Sequence, residues 1–146
     1  MNKIIQIIDG PNLNLLGKRE PEIYGSMSLK DIHNEILSYV SSNNLNMEVQ
    51  FFQSNTEGEI VSCIQQTEKK CSGMIINAGA LSHTSVAILD ALMAVNIPKI
   101  EVHLSNIFKR EEFRQHSFIS KGVNGVICGF GHNSYILAVE GINKLI

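Results

Sequence analysis

The sequence predicts an α/β protein with a doubly wound parallel sheet of five strands and helices on both faces. Short apolar runs rich in Ile and Val alternate with longer stretches of helical periodicity. The runs lack strict apolar–polar alternation, which is typical of strands buried on both faces. With 146 residues, 44% apolar and 18% charged, the chain has the length and composition of one ordinary globular domain.

The candidate strands are apolar runs bounded by Gly, Pro, Asn or Ser. They are Lys3–Ile8, Glu48–Phe52, Gly73–Ile76, Lys99–His103 and Val123–Cys128. Because helical stretches separate them, the connections are of the βαβ type and the predicted sheet is parallel.

Four helices are predicted between and after these strands. Ser28 and Asp31 resemble a capping box that begins a helix ending near Asn43. The other helices are predicted at Glu57–Lys70, Ser82–Val95 and His132–Lys144, with a short helical turn at Glu111–Gln115. This alternation predicts a single flavodoxin-like domain over residues 1–146.

The third predicted helix is apolar nearly all round. Its segment Val86–Val95 contains one charged residue, Asp90. Because a surface helix of a monomeric α/β protein should have a polar face, we expect this helix to contact another subunit. The alternative is a helix enclosed within its own domain.

Charge and cysteine content argue against several kinds of partner. The net charge is −2 and the densest basic cluster is Lys109-Arg110, so neither nucleic acid nor an anionic membrane is expected as a partner. No apolar run approaches the length of a membrane span. The three cysteines lack metal-binding spacing, so we expect reduced thiols in a cytoplasmic protein.

Polar residues concentrate where the predicted strands end. The clusters are Asp9-Gly-Pro-Asn12, Asn77-Ala-Gly-Ala-Leu-Ser-His83 and Glu101-Val-His103-Leu-Ser105. Ligands bind beyond the carboxyl ends of the strands in open parallel sheets, so three such clusters predict a site there. Individually, Asn12 and Asn77 could be turn residues, and His83 could cap a helix.

Glu101 and His103 are two apart on a predicted strand, so their side chains leave the same face. A carboxylate beside an imidazole orients the ring and supports its protonated form, which prepares a general acid. A structural His–Glu pair is the alternative.

A long loop, Gly17–Gly25, precedes the first predicted helix and contains Arg19 and Tyr24. Loops of this length are more often functional lids than filler. A phenol with its ordinary pKa of about 10 is a poor base, but a nearby guanidinium favours the phenolate. We expect Arg19 to support Tyr24 as a base; a Tyr that merely packs is the alternative.

A charge run, Lys109–Arg114, follows the fourth predicted strand. Arg110 and Arg114 are four apart and could share one face, where a guanidinium suits bidentate binding of a substrate carboxylate. The alternative is a solvated charge run.

Five motifs follow one another over essentially the whole chain. They are Gly10-Pro-Asn-Leu-Asn-Leu-Leu-Gly17, Arg19-Glu-Pro-x-x-Tyr24-Gly25, Asn77-Ala-Gly-Ala-Leu-Ser-His-Thr-Ser85, Glu101-Val-His-Leu-Ser-Asn106 and Arg110-Glu-Glu-Phe-Arg114. In order and spacing they closely resemble the type II 3-dehydroquinate dehydratases. One departure is Asp9, where Asn is more often expected, and it puts a local hydrogen bond in question.

The resemblance implies a shikimate-pathway lyase that removes water from 3-dehydroquinate to give 3-dehydroshikimate, without metal, cofactor or Schiff-base lysine. It implies an anti, stepwise elimination through an enolate. Tyr24 would be the phenolate base, supported by Arg19, and Asn12 would help stabilise the enolate oxygen. His103, oriented by Glu101, would protonate the departing hydroxyl.

The resemblance also implies substrate-binding residues and an assembly. The residues are Asn77, His83, Leu104, Ser105 and Arg114, with Asp90 contributed across a subunit contact. The implied assembly is a dodecamer built from trimers.

Two other functions stay open from the residues alone. A flavodoxin-like electron-transfer module would need phosphate-binding Ser, Thr and Gly in its first loop, where this chain has Asn, Leu, Arg and Tyr. Another lyase or isomerase acting on a polyhydroxylated acid could use the same groups. No phosphate loop, Gly-x-Gly-x-x-Gly motif or nucleophile elbow is present in the sequence.

Overall fold

One sheet of five parallel strands runs through the protein, which a computed structural model describes from residue 2 to residue 146. The strands are β1 (Lys3–Asp9), β2 (Met47–Gln53), β3 (Gly73–Asn77), β4 (Lys99–His103) and β5 (Gly125–Cys128). Their spatial order is β2-β1-β3-β4-β5. This is the flavodoxin-like order, which confirms the predicted fold class.

Within the described residues, five α-helices connect and follow the strands. They are α1 (Pro21–Tyr24), α2 (Leu29–Ser42), α3 (Glu57–Lys70), α4 (Val86–Met93) and α5 (Asn133–Leu145). The predicted capping box at the start of α2 is confirmed: Ser28 Oγ accepts from the Asp31 N–H, and the Asp31 carboxylate accepts from the Ser28 N–H, both at 3.1 Å. Within residues 2–146, no helix has the length and apolar character needed to cross a membrane.

The predicted helix Ser82–Val95 was wrong at its beginning. A 3-10 helix occupies Gly79–His83, and α4 begins only at Val86. Ser85 has an extended backbone, and its Oγ accepts from the Ile88 N–H at 2.9 Å. Serine favours this capping geometry over a helix interior, so it starts a new helix and leaves His83 on the turn after β3.

Helices cover both faces of the sheet. The core on one side includes Ile7, Ile36 and Tyr135, from β1, α2 and α5. The core on the other side includes Ile8 and residues of α3 and α4. Because all strands are parallel, their carboxyl ends meet at one edge, where Asp9 of β1 lies beside Asn77 of β3 in register.

Candidate active site

A pocket opens at the carboxyl edge of the sheet, beside the ends of β1, β3 and β4. The loops after these strands and the Gly17–Gly25 loop line it. The predicted site residues that line it are Asn12, Arg19, Tyr24, Asn77, His83, His103, Leu104, Ser105 and Arg114. Arg110 joins them. Glu101 lies behind His103, and Asp90 lies elsewhere, on α4.

The phenol oxygen of Tyr24 contacts a different arginine from the one expected. Arg110 Nη1 donates a hydrogen bond to Tyr24 Oη at 2.7 Å. The Arg19 guanidinium carbon lies 5.4 Å from the centre of the Tyr24 ring, and the Arg110 carbon lies 5.1 Å from it. Two cations therefore flank the phenol, and the one bonded to its oxygen is Arg110.

Sequence reasoning missed this role of Arg110 because the two residues are 86 positions apart in the chain. The spacing of Arg110 and Arg114 was the available signal, and it suggested only carboxylate binding. Arg19 lines the pocket, with 41% of its side chain exposed and Nη2 3.9 Å from Glu20. Its support of Tyr24 stays a prediction.

The predicted contact between Glu101 and His103 is present. Glu101 is fully buried, and its Oε2 pairs with Nε2 of His103. Ser117 Oγ also donates to Oε2 at 2.7 Å, and Ser120 Oγ donates to Oε1 at 2.5 Å. The two serines lie 16 and 19 residues after Glu101, in the connection between β4 and β5, and no sequence pattern connected them with Glu101.

The charge of Glu101 follows from these contacts. Burial alone would raise the pKa of its carboxyl, but the hydrogen bonds from His103, Ser120 and Ser117 outweigh burial and hold the pKa below its ordinary value. Glu101 is therefore an anion at neutral pH. It orients the His103 ring through Nε2, which leaves Nδ1 as the nitrogen available to the pocket.

His83 stacks on His103, with 6.0 Å between ring centres and 20° between planes. Its Nδ1 lies 2.8 Å from the His116 carbonyl oxygen, which can only accept, so Nδ1 carries the proton and Nε2 is an acceptor. Burial is the main cause that lowers the pKa of His83, and the nearby charges of His103 and Arg114 add to it. The ring is therefore neutral at neutral pH.

Asn12 is held in the left-handed backbone region, with φ of 68°, which asparagine tolerates better than most residues. Its N–H donates to Asn55 Oδ1 at 3.0 Å, and Gln53 Nε2 donates to the same oxygen at 3.3 Å. Gly10 lets this loop pack closely on the next, since a Cβ there would lie 2.4 Å from the Ala78 carbonyl oxygen. The loop is thus built to present Asn12 to the pocket.

Arg114 adds a third cation to the pocket lining. Its Nε lies 3.1 Å from Glu111 Oε2, an ion pair whose N–H is not aligned as a hydrogen bond. The guanidinium also lies over the Phe113 ring at 5.3 Å. With Arg19 and Arg110, Arg114 makes the pocket suited to an anionic ligand.

The pocket therefore has paired groups for proton transfer. A guanidinium stabilises a phenolate, which can take a proton, and a carboxylate stabilises an imidazolium, which can give one. Cations and amides beside them can bind a polar anion.

Comparison with known proteins gives concordant results. The family model described as dehydroquinase class II matches residues 3–143. A 3-dehydroquinate dehydratase of Prochlorococcus marinus (strain NATL1A) is 57% identical over 136 residues, which cover 93% of this chain and 92% of that protein. One of Clostridium botulinum (strain Hall) is 51% identical over 147 residues and covers 100% of this chain and 98% of its own.

Solved structures agree with these relatives. The type II dehydroquinase from Butyrivibrio crossotus DSM 2876 superposes with a TM-score of 0.93 at 45% identity, covering 97% of this chain and 98% of its own. The type II dehydroquinase from Propionibacterium acnes has a TM-score of 0.92 at 40% identity, covering 99% and 98%.

Proposed function

The chain belongs to the class II dehydroquinase family, and from that membership we propose that it is a 3-dehydroquinate dehydratase, a hydro-lyase of the shikimate pathway. The reaction removes water from 3-dehydroquinate and gives 3-dehydroshikimate. The observation that carries the proposal is the meeting of two paired groups in one pocket. These are Tyr24 bonded to Arg110, and His103 bonded to Glu101.

Tyr24 is the proposed general base. The hydrogen bond and the charge of Arg110 stabilise the phenolate, and the second guanidinium, Arg19, adds to the positive potential. The phenolate takes the proton from the carbon next to the substrate ketone. The electrons of that C–H bond then form an enolate, whose oxygen Asn12 helps to stabilise.

His103 is the proposed general acid. The buried Glu101 anion supports the imidazolium and holds the ring through Nε2, so Nδ1 delivers the proton to the departing hydroxyl. The enolate re-forms the ketone as the C–O bond breaks, and water leaves. The proposed elimination is anti, which requires Tyr24 and His103 to act on opposite faces of the substrate ring.

The remaining lining residues are proposed to bind substrate. Arg114 suits the carboxylate because its planar guanidinium can donate two parallel hydrogen bonds. The hydroxyls are assigned to His83, Asn77, Ser105 and the backbone at Leu104, which all line the pocket.

The activity is tested by incubating purified protein with 3-dehydroquinate and following the ultraviolet absorbance of the conjugated enone product. We expect the initial rate of the absorbance increase to be proportional to protein concentration. Folded protein that leaves the absorbance unchanged would overturn the proposal. A yellow purified protein with a bound flavin would instead favour the electron-transfer alternative.

Arg110→Ala is expected to lower kcat/KM at neutral pH more than Arg19→Ala does. A hydrogen bond to a charged group contributes about 1.5–3 kcal/mol, which corresponds to about 10- to 150-fold in rate. The measurement is kcat/KM at neutral pH for both variants, with Lys109→Ala as the neighbouring control. A larger loss of kcat/KM for Arg19→Ala would restore Arg19 as the main support.

We also propose that copies of the chain assemble through α4, as trimers packed into a dodecamer, with Asp90 completing a neighbour's site. Val86 and Met93 are 53% and 63% exposed on this helix, and Asp90 is exposed on the same side. Unpaired apolar surface of this kind marks an interaction site.

Met93→Glu is therefore expected to reduce both the particle mass in light scattering and the activity, because a buried charge opposes the contact. Leu145→Glu, at an apolar side chain that is 48% exposed at the end of α5, is the matched control. A wild-type protein that is monomeric and fully active would contradict the assembly proposal.

A further inference from the structure

Four polar side chains form a hydrogen-bonded series beneath the pocket, which we call the polar relay: His33, Asp9, Tyr135 and Asn77. His33 Nε2 lies 3.0 Å from Asp9 Oδ2, and Tyr135 Oη donates to Asp9 Oδ1 at 2.5 Å. Asn77 Nδ2 donates to Tyr135 Oη at 3.0 Å. Of the four, Asn77 lines the pocket.

The relay joins the sheet to the helix layer on one of its faces, to which both α2 and α5 belong. Asp9 and Asn77 end adjacent strands, Tyr135 comes from α5, and His33 comes from α2 and stacks on Phe51 at 3.9 Å between ring centres. Asp9 and Tyr135 are fully buried, and Asn77 is 3% exposed. Asp9, where the sequence put a local hydrogen bond in question, makes two hydrogen bonds, one through each carboxylate oxygen.

The donors and acceptors of the relay run in one direction. A carboxylate only accepts hydrogen bonds, so both Tyr135 and His33 must donate to Asp9. Burial, and then the Asp9 charge, raise the pKa of Tyr135 well above its ordinary value, so the hydroxyl keeps its proton. Having given its hydrogen to Asp9, the Tyr135 oxygen accepts from Asn77.

The orientation of the Asn77 amide follows from this direction. Its Nδ2 points to Tyr135, and its Oδ1 accepts from the Gly79 N–H at 3.2 Å. Both ends of the amide are therefore assigned by protein groups. The second Nδ2 hydrogen and the second Oδ1 lone pair of Asn77 therefore keep one orientation relative to the pocket.

We propose that Asp9, Tyr135 and His33 are positioning residues that hold the Asn77 amide in the orientation that binds a substrate hydroxyl. This inference rests on the proposed dehydratase function and goes beyond it, because none of the three residues lines the pocket. An asparagine at position 9 could donate to the Tyr135 oxygen, which would free the Tyr135 hydroxyl hydrogen to turn toward Asn77. The carboxylate removes that ambiguity, and the His33 donor satisfies its second oxygen.

Asp9→Asn and Tyr135→Phe test the proposal by steady-state kinetics with 3-dehydroquinate. We expect KM to rise about tenfold, the scale of one well-made hydrogen bond, and kcat to change less than about threefold because the proton-transfer groups are untouched. Tyr39→Phe is the matched control, since Tyr39 Oη donates to the Glu140 carboxylate at 2.7 Å, away from the pocket. It should leave KM unchanged.

A purely structural role would lower the melting temperature and leave KM unchanged, and that result would overturn the proposal. If Asp9→Asn fails to fold, His33→Gln tests the same relay from its outer end, where the side chain is 18% exposed. Its amide can still donate to Asp9, so we expect a smaller rise in KM. An unchanged KM, as expected for Tyr39→Phe, would count against the relay.

A double-mutant comparison separates positioning from general damage. In an Asn77→Ala background, Asp9→Asn should not weaken binding further, because the group that it positions is gone. Binding is measured here as the dissociation constant of the product, 3-dehydroshikimate, because that measurement does not require turnover. Equal effects of Asp9→Asn with and without Asn77 would overturn the proposal. A wild-type protein without turnover would instead refute the proposed function, which is a different outcome.

Discussion

Tyr24→Phe is expected to abolish turnover, with kcat falling by at least about 10³-fold, within the range that a positioned general base contributes. Phenylalanine lacks the oxygen that takes the proton in the proposed mechanism. It keeps the ring beside which the Arg19 and Arg110 guanidinium carbons lie, 5.4 Å and 5.1 Å from its centre. Substrate binding and the fold should therefore persist.

This result is checked with the enone absorbance assay, a circular-dichroism melt and a titration with 3-dehydroshikimate. Tyr39→Phe again serves as the control, because it removes one tyrosine hydroxyl that hydrogen-bonds a carboxylate outside the site. Turnover close to wild type in Tyr24→Phe would remove Tyr24 from the role of base. Loss of both turnover and product binding would point to a binding role instead.

His103→Asn is expected to stop the loss of water, with kcat reduced by about 10²- to 10⁴-fold, the usual contribution of a general acid. Its effect should differ in kind from that of Tyr24→Phe. Tyr24, the proposed base, and its partner Arg110 remain. The hydrogen on the carbon next to the ketone should therefore still exchange with solvent through the enolate. Asparagine keeps a polar group beside Glu101, which limits the damage to the buried carboxylate.

The two steps are separated by incubating substrate in deuterated water and following hydrogen exchange by NMR together with the enone absorbance. His103→Asn should exchange hydrogen without eliminating water, whereas Tyr24→Phe should do neither. Glu101→Gln is a third variant for the same assay. It keeps His103 but removes the carboxylate that supports the ring, so it should slow elimination less than His103→Asn does. Loss of exchange in His103→Asn would contradict separate roles for the acid and the base.

Much of the fold was predictable because its signals are local. Apolar runs of four to six residues, separated by helical stretches, predict a parallel sheet. The start of α2 at Ser28 was predictable for the same reason, since a capping box needs only residues three apart. The false start at Ser82 shows the limit: an apolar periodic stretch does not reveal which serine will cap it.

Part of the site was also predictable. The carboxyl ends of parallel strands meet at one edge, so Asn12, Asn77 and His103 had to lie near one another once the sheet was predicted. The contact of Glu101 with His103 needed only the two-residue period of a strand.

The sequence by itself determined the sheet, the edge that carries the pocket and the pairing of His103 with Glu101, because each depends on neighbours in the chain or on strand direction. Only the tertiary structure decided that Arg110 bonds the Tyr24 oxygen, and that Tyr135, 126 residues from Asp9, donates to Asp9 and accepts from Asn77. These contacts join side chains from segments that folding brings together. Their partners are set by packing distance and hydrogen-bond direction, and neither leaves a periodic pattern in the sequence.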